Sequence, residues 1–278
     1  MIATQAELDK VSFRAIADLA YRESGLTLVD EKVAMIQSRL RHRLRALKLT
    51  EFSDYCTFVQ TEGGRSERKQ LISALTTNVS HFFREDHHFD TLCERVRAAM
   101  PMLRNGGRLR VWSAGCSNGQ EAVSAAIRLL EAVPDIANLD LRILATDIDP
   151  EVVSFARQGT YPKRFMNRVS QSLLEKYFVA GPKIGEEETF VACPKVLKLI
   201  RYNELNLLAR WPMKGRFDVI FCRNVVIYFD IETQTALWPR FRDALTPEGM
   251  LFLGHSERIA DPATVGFACS GPTTYQPR

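Results

Sequence analysis

The first 90 residues carry apolar side chains at intervals of three and four positions, which is the spacing of amphipathic helices with one buried face. The two clearest series are Phe13, Ile16, Ala17, Leu19 and Ala20, followed by Val33, Ile36, Leu40, Leu44 and Leu47. Breaks in the pattern at 24–25, 49–51 and 62–64 divide the region into about four short helices. Strand-like alternation is missing from this stretch of sequence, so the pattern predicts an all-α N-terminal domain.

After the turn at 105–107, strand-like apolar runs alternate with helical patterns. Strands are predicted over 109–112, 141–146 and 217–222, with helices from Glu121 to about Val133 and from Pro150 onward. Alternation of this kind predicts a parallel sheet covered by helices on both faces. The apolar runs 249–254 and 273–275 are predicted to be late strands that close the sheet.

One segment departs from this alternation. Between Gly181 and Tyr202, two β-prone runs at 189–191 and 196–200 predict a small antiparallel insertion, placed at about 179–203. The predicted fold class is therefore α/β with an all-α domain in front of it. The predicted boundaries are residues 1–90 for the helical domain and the start of a linker, and 91–278 for the α/β domain.

The first predicted strand leads into a loop with glycines at positions 115 and 119, and Asp147 lies 32 residues after Gly115. A dinucleotide fold expects three glycines as GxGxxG and an acidic residue about 20 residues later, so the spacing fits poorly. S-adenosylmethionine (SAM) carries no phosphate and needs carboxylates for its ammonium and ribose hydroxyls. Glu121 and Asp147 suit those two roles. The loop thus favours a SAM site, with a dinucleotide site and a purely structural turn as alternatives.

Polar residues also follow the third predicted strand. Arg223 and Asn224 stand at its carboxyl end, where open parallel sheets bind ligands. Asp218 lies inside the strand, and we leave open whether it caps a neighbouring loop or contacts a ligand.

Composition excludes several classes of protein. The chain has 278 residues, 46% of them hydrophobic, and 37 Lys and Arg against 33 Asp and Glu, which is typical of a well-packed globular protein. The six cysteines and five histidines show no CxxC, HExxH or other ligand spacing, so we expect no metal site and no disulfide framework. The first 13 residues lack the features of a secretory signal, which favours a cytoplasmic protein.

The small positive charge is concentrated in residues 38–48, which hold five Lys or Arg and no acidic residue. Arginine grips carboxylates at two points, so a helix bearing Arg39, Arg41, Arg43 and Arg45 is interpreted as a recognition surface for acidic side chains. A solvated basic face and a nucleic-acid surface are the alternatives.

Six strings, taken in order, resemble the CheR-type methyltransferases of bacterial chemotaxis over essentially the whole chain. They are LTTNVSHFFREDHHF (75–89), VWSAGCSNGQE (111–121), ATDID (145–149), ELNLL (204–208), FDVIFCRNVVIYFD (217–230) and LFLGHSE (251–257). The resemblance implies a Rossmann-like SAM-dependent methyltransferase domain with a small antiparallel β-subdomain, preceded by a helical receptor-recognition domain. The implied reaction is methylation of receptor glutamates, with S-adenosyl-L-homocysteine as product.

The resemblance also implies site residues. The implied cofactor contacts are Asn78, Ser80, Arg84, Glu121, Asp147, Asn206, Leu207, Arg223 and Asn224. Arg84 and Tyr228 are implied at the methyl-accepting site. The implied partners are the cytoplasmic domains of chemoreceptors, with no nucleic acid, contact with the membrane only through the receptor, and a monomeric protein. A nucleic-acid or other protein methyltransferase, and a catalytically inactive SAM-binding module, are the alternatives.

Overall fold

The computed structural model describes residues 7–278, so positions 1–6 of the predicted helical domain lie outside the described residues. Its first four helices are α1 (Lys10–Ser24), α2 (Val33–Leu47), α3 (Phe52–Gln60) and α4 (Arg65–Leu75). Asp9 begins α1 by accepting hydrogen bonds from the backbone N–H groups of Val11 and Ser12. Gly25 ends that helix in the left-handed region, with φ of 72°. The prediction of an all-α N-terminal domain is confirmed.

The four helices share one apolar core. Its buried side chains come from the predicted helical faces, including Ile16, Ile36, Leu40, Tyr55 and Leu71. Burial of these faces against one another, rather than the propensity of any single short helix, stabilises the domain.

The second domain alternates strands and helices. Its elements are α5 (His87–Arg104), β1 (Leu109–Ala114), α6 (Gln120–Ala132), β2 (Leu141–Asp147), α7 (Pro150–Gln158), β3 (Thr160–Pro162), α8 (Gln171–Tyr177), β4 (Phe178–Ala180), β5 (Thr189–Ala192), α9 (Pro194–Leu197), β6 (Ile200–Glu204), β7 (Phe217–Cys222), α10 (Ile231–Ala244), β8 (Leu245–Leu253), β9 (Phe267–Gly271) and β10 (Thr274–Pro277). A seven-stranded sheet has the order β6-β2-β1-β7-β8-β10-β9, in which β10 runs antiparallel to β8 and β9 while the other pairs are parallel.

Both faces of this sheet are covered, as predicted. One face packs its apolar side chains with α5 and α6, and the other packs Trp112 and Ile220 against Leu237 and Phe241 of α10. The carboxyl ends of β6, β2, β1 and β7 therefore meet at a single edge, where the connecting loops form the candidate site.

The antiparallel insertion exists, but its predicted bounds of 179–203 are wrong. Strands β3, β5 and β4 form a separate three-stranded antiparallel sheet that spans 160–192. The run 196–200, predicted as part of it, instead ends the short helix α9 and begins β6, which pairs in parallel with β2. Pro194 starts that helix, and the apolar run is buried as the edge of the main sheet.

The division between the domains falls earlier than residue 90. Helix α5 begins at His87, and its side chains Phe89, Leu92 and Val96 belong to the same core as α6. The last helix of the N-terminal domain is α4, which ends at Leu75.

Hydrogen bonds hold the helical domain over the carboxyl edge of the sheet. The Ser73 hydroxyl donates to Asp149 at 2.8 Å, and Tyr21 donates to Asp230 at 2.8 Å. The Thr27 N–H donates to the Tyr228 carbonyl at 2.9 Å. The helical domain thus forms one wall of the cavity at that edge. Over residues 7–278, each helix is too short or too polar to span a bilayer.

Candidate active site

A cavity of about 900 Å³, including its open mouth, lies between the two domains at the carboxyl edge of the sheet. Residues from both domains line it. All ten cofactor and catalytic residues implied by the resemblance are among them: Asn78, Ser80, Arg84, Glu121, Asp147, Asn206, Leu207, Arg223, Asn224 and Tyr228. These ten residues come from five separate segments of the chain, and Ser24 and Leu26 of the helical domain add a sixth to the wall.

The glycine loop brings the backbone close to the cavity. Gly115 has φ of 96°, and a Cβ atom there would lie 2.3 Å from Cγ2 of Val225. Gly119 has φ of 84° and stands directly before α6. Any residue other than glycine would be strained at positions 115 and 119, which explains why both are glycine.

Glu121 is held by two partners. The Ser113 hydroxyl donates to one carboxylate oxygen at 2.6 Å, and Nε of Arg223 donates to the other at 2.7 Å. Each oxygen keeps a further lone pair, so the carboxylate can still accept from a cationic ligand group.

Arg223 is built into the wall of the cavity. Its side chain is 2% exposed, and its guanidinium lies 5.0 Å from the ring centre of Phe89 and 5.2 Å from that of Phe221. Its Nη1 donates to the Arg84 carbonyl at 2.6 Å. These contacts make Arg223 a positioning residue that orients Glu121 and fastens the segment around Arg84.

Asp147 ends β2 beside the glycine loop. Its Oδ2 accepts from the Ser117 N–H at 2.8 Å and its Oδ1 from the Asp149 N–H at 3.1 Å. Burial outweighs these two donors and raises the pKa of Asp147 to about 6. The carboxylate is therefore ionised at pH 7 and ready to accept further hydrogen bonds.

Asn224 lies in the left-handed region with φ of 59°. Among residues 7–278 its side-chain amide has no hydrogen-bond partner, so the amide is available to a ligand. Its backbone N–H donates to Glu257 at 2.7 Å, and that carboxylate also accepts from the N–H groups of Gly254, Val225 and Ile227, at 2.6, 2.8 and 3.3 Å. Burial raises the pKa of Glu257 despite these donors. Glu257 thus shapes the loop that carries Asn224.

The linking segment after α4 supplies the opposite wall. The Asn78 amide donates to Asp149 at 2.7 Å, and the Tyr228 hydroxyl reaches across to the Thr77 carbonyl at 3.4 Å. Arg84 is less constrained: its guanidinium contacts the Val79 carbonyl only at 3.5 Å and remains partly exposed. Arg84 and Tyr228 therefore face the cavity with few strong internal bonds.

Two predicted contacts have internal roles. The Asn206 amide donates to the Glu23 carbonyl at 2.7 Å and accepts from the Leu208 N–H at 2.8 Å, so each polar end has an internal partner and keeps one further donor or acceptor position. Leu207 is buried in the core beside α10 and offers an apolar surface to the cavity.

The four arginines of α2 divide into two pairs. Arg39 donates to the carbonyls of Leu75 and Thr76 at 3.0 and 2.9 Å, and Arg43 forms an ion pair with buried Glu67 at 2.5 Å. This pair joins α2 to α4. Arg45 is exposed and Arg41 half-buried, and within the described residues neither forms an ion pair.

Sequence reasoning missed Glu257, Asp149, Ser113 and Ser117. All four lie in strings that carry the resemblance, but an acidic residue after a strand is equally typical of a helix cap, which Asp149 also is for α7. Asp218 does not line the cavity. Its carboxylate accepts from the Arg110 N–H at 2.8 Å, which supports the structural alternative.

The cavity suits SAM. Glu121 and Asp147 supply acceptors for an ammonium and for ribose hydroxyls, while Leu207, Val225 and Ile148 add apolar wall. The buried hydroxyl oxygen of Ser117 has no hydrogen-bond partner within residues 7–278. Because buried polar groups are nearly always paired, this hydroxyl fits a hydrogen bond to the cofactor. Over the same residues, no group of three or more His, Cys, Asp or Glu side chains is arranged to hold a metal ion.

Comparison with known proteins agrees with this chemistry. Residues 12–76 match the model of the CheR methyltransferase all-alpha domain, and residues 78–275 match that of the CheR methyltransferase SAM-binding domain. A probable chemotaxis protein methyltransferase of Rhizobium etli is 43% identical, covering 93% of this chain and 96% of its own. The chemotaxis protein methyltransferase of Salmonella typhimurium is 39% identical, covering 96% and 90%. This chain therefore belongs to the CheR family of SAM-dependent methyltransferases.

Proposed function

We propose that the protein methylates glutamate side chains in the cytoplasmic domains of chemoreceptors, and that it does so as a cytoplasmic monomer. The single observation that carries this proposal is the convergence of Arg84 and Tyr228 with Glu121 and Asp147 in one cavity. The first two residues suit an incoming carboxylate, and the last two suit the cofactor.

The reaction needs little acid–base chemistry from the protein. A glutamate acceptor has a reference pKa near 4.3, so about 99% of it is ionised at pH 7 and requires no general base. When bound, SAM supplies a sulfonium methyl group that is already activated toward a nucleophile. What remains for the protein is alignment of the reactants and exclusion of water.

The cavity residues divide these tasks. Glu121 holds an ammonium group, and Asp147 accepts from ribose hydroxyls. Arg84 attracts the acceptor carboxylate, and the Tyr228 hydroxyl orients one of its oxygens. The Arg84 guanidinium makes only a 3.5 Å contact with the Val79 carbonyl and a 3.9 Å ion pair with Glu85, so it can turn part of its charge toward an incoming carboxylate.

A base-lability assay tests the proposal. The protein is incubated with methyl-labelled SAM and receptor cytoplasmic domains, and the product is treated with alkali. Glutamyl methyl esters release volatile methanol, whereas N-methyl groups survive. Base-stable label would overturn the proposal, and SAM binding without transfer to any receptor would favour an inactive SAM-binding module.

Cofactor affinity is expected to depend on pH through Asp147. The pKa of about 6 in the ligand-free protein means that the carboxylate becomes protonated as the pH falls through 6 and then accepts ribose hydroxyls poorly. Titration calorimetry with S-adenosyl-L-homocysteine should show constant affinity above pH 7 and a loss of roughly tenfold by pH 5. Asp147→Asn should weaken binding at pH 7.5 by about 1.5–3 kcal/mol and remove this pH dependence. A variant that retains the pH dependence would assign it to another group.

Receptor docking is proposed for the exposed side of α2, through Arg41 and Arg45. Charge reversal in Arg41→Glu/Arg45→Glu is expected to raise the KM for receptor by about tenfold, because exposed pairs contribute roughly 0.2–1 kcal/mol each. The matched control Arg97→Glu/Arg168→Glu changes net charge equally and should leave the KM unchanged. Equal effects of the two double variants would show that overall charge, not this helix, determines docking.

A further inference from the structure

A second concave site lies at the amino ends of the parallel strands, at the edge of the sheet opposite the active site. Five arginines line this arginine cleft: Arg108, Arg110, Arg142, Arg201 and Arg216. Partly exposed Leu144 and Met213 add apolar surface to it. Because β1 is six residues long, the cleft is separated from the cofactor cavity by about 20 Å.

Strand register places three of these side chains on one face. Arg110 lies directly opposite Arg142 on β2, and Leu144, two positions further along β2, lies opposite Arg201 on β6. Side chains two positions apart on a strand share a face, so the three guanidinium groups project together. Like charges directly opposite each other destabilise a sheet.

Two carboxylates lie beside this cluster: Asp140, whose pKa is lowered by Arg110, Arg142 and Arg108, and Asp218, which accepts from the Arg110 N–H at 2.8 Å. Five arginines against two carboxylates leave three positive charges in excess. Arg110 pairs with Asp140 at 2.9 Å, and among residues 7–278 the other four arginines of the cleft have no carboxylate within 4.0 Å. Arg142 and Arg201 donate to backbone carbonyls only through Nη1, at 2.6 and 3.0 Å from the oxygens of Leu141 and Ile200. The rest of each guanidinium fork is available to a ligand.

We infer that the arginine cleft binds a small molecule carrying two or more phosphate groups, with a nucleoside diphosphate as the best match. Guanidinium forks bind phosphate oxygens at two points, and a dianionic or trianionic group relieves the repulsion between Arg110 and Arg142. The cleft is concave, and its empty space of about 800 Å³, which includes its open mouth, is large enough for a small ligand. Its apolar floor gives a base or sugar ring a contact surface.

Titration calorimetry of the full chain with inorganic pyrophosphate and with GDP tests this inference. Saturating S-adenosyl-L-homocysteine is included so that the active site is filled. Both probes should bind in a 1:1 ratio, GDP more tightly, and Arg142→Gln/Arg201→Gln should weaken each by at least tenfold. The control Arg97→Gln/Arg168→Gln loses the same charge outside the cleft and should bind both probes as the parent does.

Thermal unfolding shows whether a loss of binding comes from the missing arginines or from a misfolded variant. Pyrophosphate should raise the Tm of the parent and of the control but not that of Arg142→Gln/Arg201→Gln, whose own Tm without ligand should equal or exceed that of the parent. The inference fails if neither probe binds at millimolar concentration, or if the two double variants lose affinity equally. It also fails if a glutamate-rich peptide binds the cleft with the same arginine dependence while pyrophosphate does not.

Discussion

Arg223→Met is expected to lower the free energy of unfolding by about 3–5 kcal/mol, because it leaves the Glu121 carboxylate buried without its cationic partner. The same change removes the donor to the Arg84 carbonyl, so the segment that carries Arg84 loses its attachment to the sheet. Chemical denaturation measures the first effect. Titration with S-adenosyl-L-homocysteine measures the second, and we expect at least a tenfold loss of affinity.

A double-mutant cycle separates the pair from the surrounding packing. Glu121→Gln alone and Arg223→Met alone should both destabilise the protein, and the combined variant should cost at least 1 kcal/mol less than their sum because the unpaired charge is gone. Arg104→Met serves as a control, since Arg104 is 65% exposed and its pair with Asp135 spans 3.9 Å. That control should change stability by less than about 1 kcal/mol. If the loss of unfolding free energy in the combined variant equals the sum of the two single losses, the Glu121–Arg223 ion pair does not stabilise the site.

Local patterns predicted much of this molecule because their causes are local. The helical faces of α1 and α2 follow from apolar spacing, and Gly115 marks a close approach that only glycine permits. The run 196–200 was assigned wrongly because a short apolar run fits a helix or either sheet equally well. Pairing with β2, more than 50 residues earlier in the chain, decides its place.

The α2 arginines show a second limit of sequence reasoning. Arg39 and Arg43 lie one helical turn apart on the face of α2 that packs against α4. Arg39 donates to the Leu75 carbonyl there, and Arg43 pairs with Glu67. Helical spacing shows which residues share a face, but it does not show which neighbouring helix that face meets. The receptor-docking proposal therefore rests on Arg41 and Arg45.

The role of Glu257 could not be predicted from the sequence for a related reason. Its carboxylate accepts hydrogen bonds from backbone N–H groups about 30 positions earlier in the chain. Its carboxylate is 3% exposed and accepts from four backbone N–H groups, two at each oxygen. Glu257→Gln places an NH₂ group against two of those donors. We expect a loss of about 2–4 kcal/mol in the free energy of unfolding, because buried N–H groups without acceptors cost about 1–3 kcal/mol each.

The larger consequence of Glu257→Gln should fall on function, because Asn224 and Tyr228 lie on the loop that this carboxylate shapes. We expect cofactor affinity to fall by at least tenfold and kcat to fall with it, at temperatures where circular dichroism shows the variant fully folded. Glu248→Gln makes the same change of charge at a side chain that is 80% exposed and should leave both quantities unchanged. A stability loss in Glu257→Gln with normal affinity and kcat would limit Glu257 to a role in packing. Loss of affinity and kcat in the folded variant would instead identify it as the residue that positions the Asn224–Tyr228 loop for methyl transfer, although it contacts neither reactant itself.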